Sequence, residues 1–332
     1  MRACGALLCV LALAAASALA GEATGVQLKQ TDEAVEITID GKPFTTYHFD
    51  NKASMGQRVL RPYFYPVLGP NQVPMTRNYP LAAGDPKETK ADHPHHTGLW
   101  VAYGAVNGVD NWSNAAKAGW QVHKSFEAVE SGAEAGLFRE TLDWTDAEKK
   151  PVMAEVRTVR IPRPKDDTYR ILDLEVTLQA KYGKVVFGDT KEGGICSTRM
   201  RTELRGDKEG KNGKLINSNG ETGDRAWGKR ALWCDASGEV EGKRYGYAIL
   251  DHPSNLHHPV YWHARTYGLL TTNPFAIQSF DKKNPEKGGY TLDEGKELTL
   301  RYRVYFHLGD EKEGRVAERY AEYARQEKPT DK

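Results

Sequence analysis

Two long segments of this 332-residue chain alternate apolar and polar residues with a period of two. Leu172, Leu174, Val176 and Leu178 alternate with Asp173, Glu175, Thr177 and Gln179. Leu298, Leu300, Tyr302, Val304, Phe306 and Leu308 alternate with Thr299, Arg301, Arg303, Tyr305 and His307. Successive side chains on a strand point to opposite faces, so this pattern predicts antiparallel strands with one buried and one wet face. Shorter strands are predicted at Ala34–Asp40, Phe44–Phe49, Leu99–Tyr103, Trp120–Val129, Leu137–Trp144, Val152–Ile161, Val185–Phe187, Ala231–Cys234 and Tyr245–Leu250. Asp40-Gly41 is a hairpin turn signal. One helix is predicted after Gly314, where Val316, Tyr320 and Tyr323 recur at helical spacing beside Ala317, Ala321 and Ala324. Many short strands and one terminal helix predict an all-β fold, a large antiparallel two-sheet sandwich with one C-terminal α-helix.

The first twenty residues read as a secretory signal peptide. Arg2 precedes an apolar run from Leu7 to Ala16, and Ala18-Leu19-Ala20 supplies small residues before Gly21. The run is too short to span a bilayer, and no later segment reaches the ~20 apolar residues a span requires. Residues 21–332 are expected to form one β-sandwich domain, exported to the periplasm or the extracellular space. Lys and Arg number 46 against 45 Asp and Glu. Removing Arg2 leaves a formally neutral chain without a basic stripe, which argues against a nucleic-acid partner. Arg199, Arg201 and Arg205 alternate with other residues and read as a solvated face. Outside the leader only Cys196 and Cys234 remain. An oxidising compartment permits a disulfide between them, and two separate buried thiols are the alternative.

Seven of the ten histidines fall in two clusters that both begin Asp-His-Pro. The first runs from Asp92 through His93, Pro94, His95 and His96 to Trp100. The second runs from Asp251 and His252 through Asn255, His257 and His258, with His263 beyond. Histidine is the side chain best suited to proton transfer and metal ligation near neutral pH, so the pair of clusters predicts one site assembled by folding. In an extended segment His93 and His95 would share a face, which leaves a divalent metal on those two rings open. A third segment, Gly188-Asp189-Thr190-Lys191-Glu192-Gly193-Gly194, holds two carboxylates and an amine between glycines. Either Asp189 or Glu192 would act beside Lys191. Aromatic and proline-rich stretches at 61–67 and 76–80 offer rings for sugar stacking. Tyr65 reads as core there, and Tyr63 and Tyr79 are open between core and ligand. Trp262 reads as core, and Asn273 begins another loop.

Pro62-Tyr63-Phe64-Tyr65-Pro66, Asp92-His93-Pro94-His95-His96 with Gly98-Leu99-Trp100, Gly188 to Gly193, Asp251 to Asn255 and Tyr261-Trp262-His263 together resemble the bacterial PmoA-like family of unknown function. The resemblance implies a galactose-mutarotase-like supersandwich and a place in polysaccharide or glycoside degradation. The expectation is an exported enzyme acting on a sugar by His and carboxylate acid–base chemistry, as a lyase, hydrolase or epimerase. His95, His263, Glu192, Asp189 and Lys191 are its candidate catalytic residues. His93, His96, His252, Asn255, Tyr63 and Asn273 are its candidate ligand contacts. A non-catalytic glycan-binding protein is the first alternative. A metal-dependent oxygenase, as the family label suggests, is the second. Oligomeric state is left open.

Overall fold

The computed structural model describes residues 24–83, 92–210 and 212–326. The expected leader lies outside the described residues. Among the described residues eighteen strands and one α-helix follow the chain: β1 Val26–Gln30, β2 Ala34–Ile39, β3 Lys42–His48, β4 Tyr63–Val67, β5 Leu99–Tyr103, β6 Gln121–Glu130, β7 Ala135–Thr145, β8 Pro151–Pro162, β9 Tyr169–Gln179, β10 Val185–Phe187, β11 Gly193–Arg199, β12 Lys214–Asn217, β13 Trp233–Val240, β14 Lys243–Asp251, β15 Tyr261–Trp262, β16 Leu269–Asn273, β17 Tyr290–Leu292, β18 Glu297–Leu308 and α1 Val316–Tyr323. One eight-stranded sheet runs β1-β2-β3-β4-β5-β11-β16-β15, and the other runs β12-β13-β14-β18-β9-β8-β7-β6. Every named pairing is antiparallel. The predicted sandwich with one terminal helix is what forms.

The period-two segments are β9 and β18, which pair over eleven residues at the heart of the second sheet. Their apolar rows, Leu172 to Leu178 and Leu300 to Phe306, meet Phe44, Phe64, Leu99, Val101 and Leu270 from the first sheet in one core. Asp40 and Gly41 both take positive φ between β2 and β3, the conformation a two-residue hairpin turn demands. Helix α1 lies outside the second sheet, where Val316 and Tyr323 bury against Trp233, Leu250 and Tyr305. No helix among the described residues is long and apolar enough to cross a membrane.

Register decides which residues of the first sheet face away from the core. Tyr63 pairs with Trp100, Trp100 with Ser197, and Ser197 with Thr271. The His263 amide then donates to the Thr271 carbonyl at 3.0 Å. The adjacent row, Leu99, Thr198 and Leu270, turns inward. One transverse line therefore runs from Tyr63 through Trp100, Ser197 and Thr271 to His263 on the outer face. At the usual strand spacing, Trp100 and His263 stand about 14 Å apart.

Two sequence expectations are corrected here. Arg199 is not on a solvated face: it is 2 % exposed, because β11 is an interior strand with loops packed over its outer side. Cys196 and Cys234 are both buried and both free. They lie on β11 and β13, in different sheets, and no disulfide joins them.

Candidate functional site

The first His cluster is a closed turn, not an extended strand. His93 has φ of 46°, and the His96 amide donates to the His93 carbonyl at 3.0 Å across Pro94. Proline at the second position of a turn presets this bend. The turn lays His93 on His96, with ring centres 4.8 Å apart and planes 7° off parallel. His95 meets both rings edge-on, at 5.7 Å and 4.4 Å. The segment is not extended, so the condition under which His93 and His95 would share a strand face is not met, although their rings stay neighbours. His96 stacks in turn on Trp100 at 5.3 Å, and His93 stacks on Tyr267 at 5.2 Å. Four rings, Trp100, His96, His93 and Tyr267, rise as a pile from the sheet floor. Trp112 closes its side, 5.8 Å from His95 and 5.5 Å from His96.

Asp92 anchors this turn. Its carboxylate accepts from Arg77 at 2.7 Å and from Arg199 at 3.1 Å, and it lies 3.1 Å from His93 Nδ1. Burial opposes its ionisation, but the His93 hydrogen bond and the Arg199 and Arg77 cations hold its pKa far below the usual carboxylate range. Arg199 also donates to His96 Nδ1 at 3.0 Å. A guanidinium can only donate, so His96 keeps its proton on Nε2 and is neutral. Burial, then the charges of His95 and Arg199, hold the His96 pKa well below its ordinary value.

His95 is different. Neither ring nitrogen has a hydrogen-bond partner among the described residues. Burial, then the Arg61 charge, lower its pKa to about 3. Arg61, itself 2 % exposed, donates to the backbone carbonyls of His95 and Ser113 at 3.1 Å and 2.8 Å. The indole N–H groups of Trp100, Trp112 and Trp227 are also buried without an acceptor. An unsatisfied buried donor costs about 1–3 kcal/mol, and these three indoles stand beside the histidine pile and His263.

The loop between β10 and β11 reaches the other end of the transverse line. His263 Nδ1 lies 2.8 Å from the Lys191 carbonyl. That oxygen only accepts, so Nδ1 carries the proton and Nε2 offers a lone pair. His263 is 4 % exposed, and burial, against the opposing pull of Glu192, lowers its pKa to about 4. Lys191 and Glu192 pair with one another at the surface, each side chain nearly half exposed. Asp189 is spent otherwise. Its carboxylate accepts the amides of Ile277, Gln278 and Ser279 at 3.3, 2.8 and 3.1 Å, tying down the 274–280 loop. Asn273 likewise holds the Thr190 carbonyl at 2.9 Å and is 1 % exposed. Asp189 and Asn273 therefore position the loop that carries Lys191 and Glu192, with no group left to meet a ligand.

The second Asp-His-Pro cluster does not join the first. Asp251 takes the amide nitrogen of Asn255 at 2.7 Å, His258 Nδ1 at 2.7 Å and the Val260 amide at 3.0 Å. His252 contacts Ser254 at 2.8 Å and the Gln326 carbonyl at 3.2 Å, and its ring packs on Tyr323 of α1. Asn255 bridges to the Arg301 backbone of β18. The expectation that His252 and Asn255 line the same pocket as His95 is overturned. This loop crosses from the second sheet to the first, and its polar groups satisfy the crossing and the docked helix. Tyr63 lies on the transverse line but is 8 % exposed and stacks on His48 at 4.9 Å, with burial raising its pKa to about 12. No group of three or more His, Cys, Asp or Glu among the described residues stands together to hold a metal.

Sequence reasoning missed Arg77, Arg199, Trp112, Tyr267 and Arg265. The Arg265 guanidinium lies 5.6 Å from the Tyr267 ring and 6.0 Å from Trp227, whose ring is 6.4 Å from His263. Tyr267 thus links the histidine pile to the His263 end. Arg199 carried a signal: it ends a strand, Gly193–Arg199, whose other residues are all uncharged, and a buried cation needs an acid.

Residues 34–321 match the family described as a family of unknown function, DUF6807. The chain belongs to this family. No curated protein matches it. Among solved structures, a heparan sulfate lyase HepC mutant from Pedobacter heparinus is similar, with 8% identity and a TM-score of 0.37, over 86% of this chain and 37% of the lyase. The galactosidase domain of the alpha-galactosidase-sucrose kinase AgaSK has 10% identity and a TM-score of 0.38, over 86% of this chain and 41% of that one. A galactose mutarotase related enzyme from Lactobacillus acidophilus has 9% identity and a TM-score of 0.33, over 85% of this chain and 97% of its own. The DUF6807 chain thus spans well under half of the lyase and galactosidase chains, and none of these likenesses carries chemistry over to it.

Proposed function

We propose that this DUF6807 protein is an exported carbohydrate-active enzyme that uses imidazole and carboxylate acid–base chemistry on a sugar or glycoside. The observation that carries the reading is the neutral imidazole of His95, unpaired at both nitrogens inside a wall of aromatic rings. Aromatic faces suit the C–H faces of sugars, and an unpaired imidazole beside them suits a sugar hydroxyl. His263 supplies a second neutral imidazole with its Nε2 lone pair free and its tautomer set by the Lys191 carbonyl. In this reading His263 is the base and Glu192, which pairs with Lys191 at the surface, is the carboxylate that exchanges a proton with the same sugar. The pair differs from the two-carboxylate arrangement of most glycosidases, which favours elimination or epimerisation over ordinary hydrolysis.

A panel of glycosides and free sugars, 3-keto sugars included, tests this with purified protein. Turnover on at least one member is expected, falling about 100-fold or more in H263A and in E192Q. Binding without turnover on any member would replace the enzyme with a glycan-binding protein. The low basicity of both imidazoles favours that second reading, since a weak base accepts a hydrogen bond more readily than a proton.

A further inference from the structure

We propose that the sugar recognised at this face carries a carboxylate, and that Arg265 binds it. This rests on the carbohydrate reading above and names the substrate class within it. Arg265 begins a tight turn in which the Gly268 amide donates back to the Arg265 carbonyl at 2.9 Å. Gly268 takes φ of +102°, which lets the turn close against Arg199 and Arg205. The turn projects Arg265 and Tyr267 at the rim, between the histidine pile and His263.

The other cations here are neutralised or satisfied. Arg77 and Arg199 share Asp92, Lys191 has Glu192, and Arg61 has two carbonyls. Asp224, the carboxylate that touches the 265–268 turn, accepts the Thr266 hydroxyl at 2.9 Å. Arg265 makes no side-chain hydrogen bond and no ion pair among the described residues. Arg160 and Arg325 share this among the described residues, but both are exposed, whereas Arg265 is half-buried. Its guanidinium lies near two rings, Tyr267 and Trp227, contacts that use none of its five N–H donors. A guanidinium left unpaired beside two rings offers its fork of donors for bidentate contact with a planar carboxylate.

The geometry also gives the carboxylate a place in the chemistry. A uronate held by Arg265 lies at the rim beside Trp227, whose ring is 6.4 Å from His263. Neutralising the carboxylate by an arginine is what makes the neighbouring C–H more acidic, so one contact would serve both recognition and the proton transfer proposed for His263.

The test is calorimetric binding of short oligomers of glucuronate, galacturonate and mannuronate, each against its carboxyl-reduced neutral counterpart, with a sulfated neutral oligosaccharide as a further arm. At least one uronate should bind tenfold or more tighter than its neutral counterpart, and added salt should erode that preference. R265Q should abolish the preference, and R265K, which keeps the charge without the fork, should restore only part of it. Equal binding of acidic and neutral sugars, or an undiminished preference in R265Q, overturns the proposal while leaving the carbohydrate reading standing. A sulfated sugar preferred over every uronate overturns the choice of carboxylate. If no sugar of either kind binds, the carbohydrate reading falls and this inference falls with it.

Discussion

An imidazole taken out of water without an acid beside it gives up its proton, and this governs the site at the residue scale. His95 and His263 are both lowered, to about 3 and about 4, chiefly by burial. If His263 is the base, the neutral form it needs is complete above about pH 5 and lost as pH falls through about 4. The turnover number should therefore be flat on its acid side from neutrality down to about pH 5 and then decline. An acid limb centred near pH 6.5, the ordinary value for histidine, would assign the limb to another group. Composition picked out His93, His95, His96 and His263 because histidine is rare enough to stand out when clustered. It was silent on Arg265 and Tyr267, which are ordinary residues until a turn sets them beside His93 and Trp227.

At the scale of elements, repeated Asp-His-Pro marks a repeated local device and not a shared site. In both clusters the Asp carboxylate gathers donors: Asp92 from Arg77 and Arg199, Asp251 from Asn255, His258 and Val260. Asp251 is fully buried, and removing it strands those donors. D251A should lose about 3 kcal/mol or more of stability, seen as a lower urea midpoint. Sugar binding by the folded variant should be unaffected. A folded D251A that no longer binds would return the second cluster to the site. The strands β2, β5, β9, β10 and β18 were legible because alternation or a turn signal bounded them. The bend at His93–His96 was not, because His-x-His reads as extended only until Pro94 and the backbone contacts of Arg77 close it into a turn.

For the whole molecule, one polar network ties the two sheets through the core. Arg157 donates to Glu155 at 2.7 Å, to the Tyr47 hydroxyl at 2.9 Å and to Gln121 at 3.1 Å, and Tyr47 hydrogen-bonds Glu140. Gln121 continues it to the Val101 carbonyl at 2.8 Å, on the strand that carries Trp100. Arg157 is 1 % exposed and Glu155 and Glu140 are fully buried. R157L would leave two carboxylates without their cation and should cost about 3–5 kcal/mol in denaturant unfolding. A loss under 1 kcal/mol would mean that the carboxylates protonate at little cost and that the network does not hold the sheets. Stability should also depend on pH through the site. Between about pH 4 and 6.5 the unfolded chain binds protons at His95 and His263 that the folded chain refuses. Their contribution is complete above about 6.5 and lost as pH falls through about 4 and then 3. Replacing both with Gln should flatten that part of the stability–pH curve. The two thiols give a further check: Cys196 and Cys234, both buried and raised by burial, should react with a thiol reagent only on unfolding.

The period of two in β9 and β18 is a local property, since backbone geometry alternates side chains whatever surrounds the strand. From it the chain's own residues determined the all-β sandwich, and the helical spacing of Val316, Tyr320 and Tyr323, equally local, determined the terminal helix. Proximity is not local. That Trp100, Ser197, Thr271 and His263 form one line depends on β5, β11 and β16 pairing in a particular register across segments far apart in the chain. That His252 turns to α1 while His263 turns to Lys191 depends on which sheet each end of one crossing loop reaches. Only the tertiary structure could decide these, because a side chain's partners and its protonation state follow from what is packed around it.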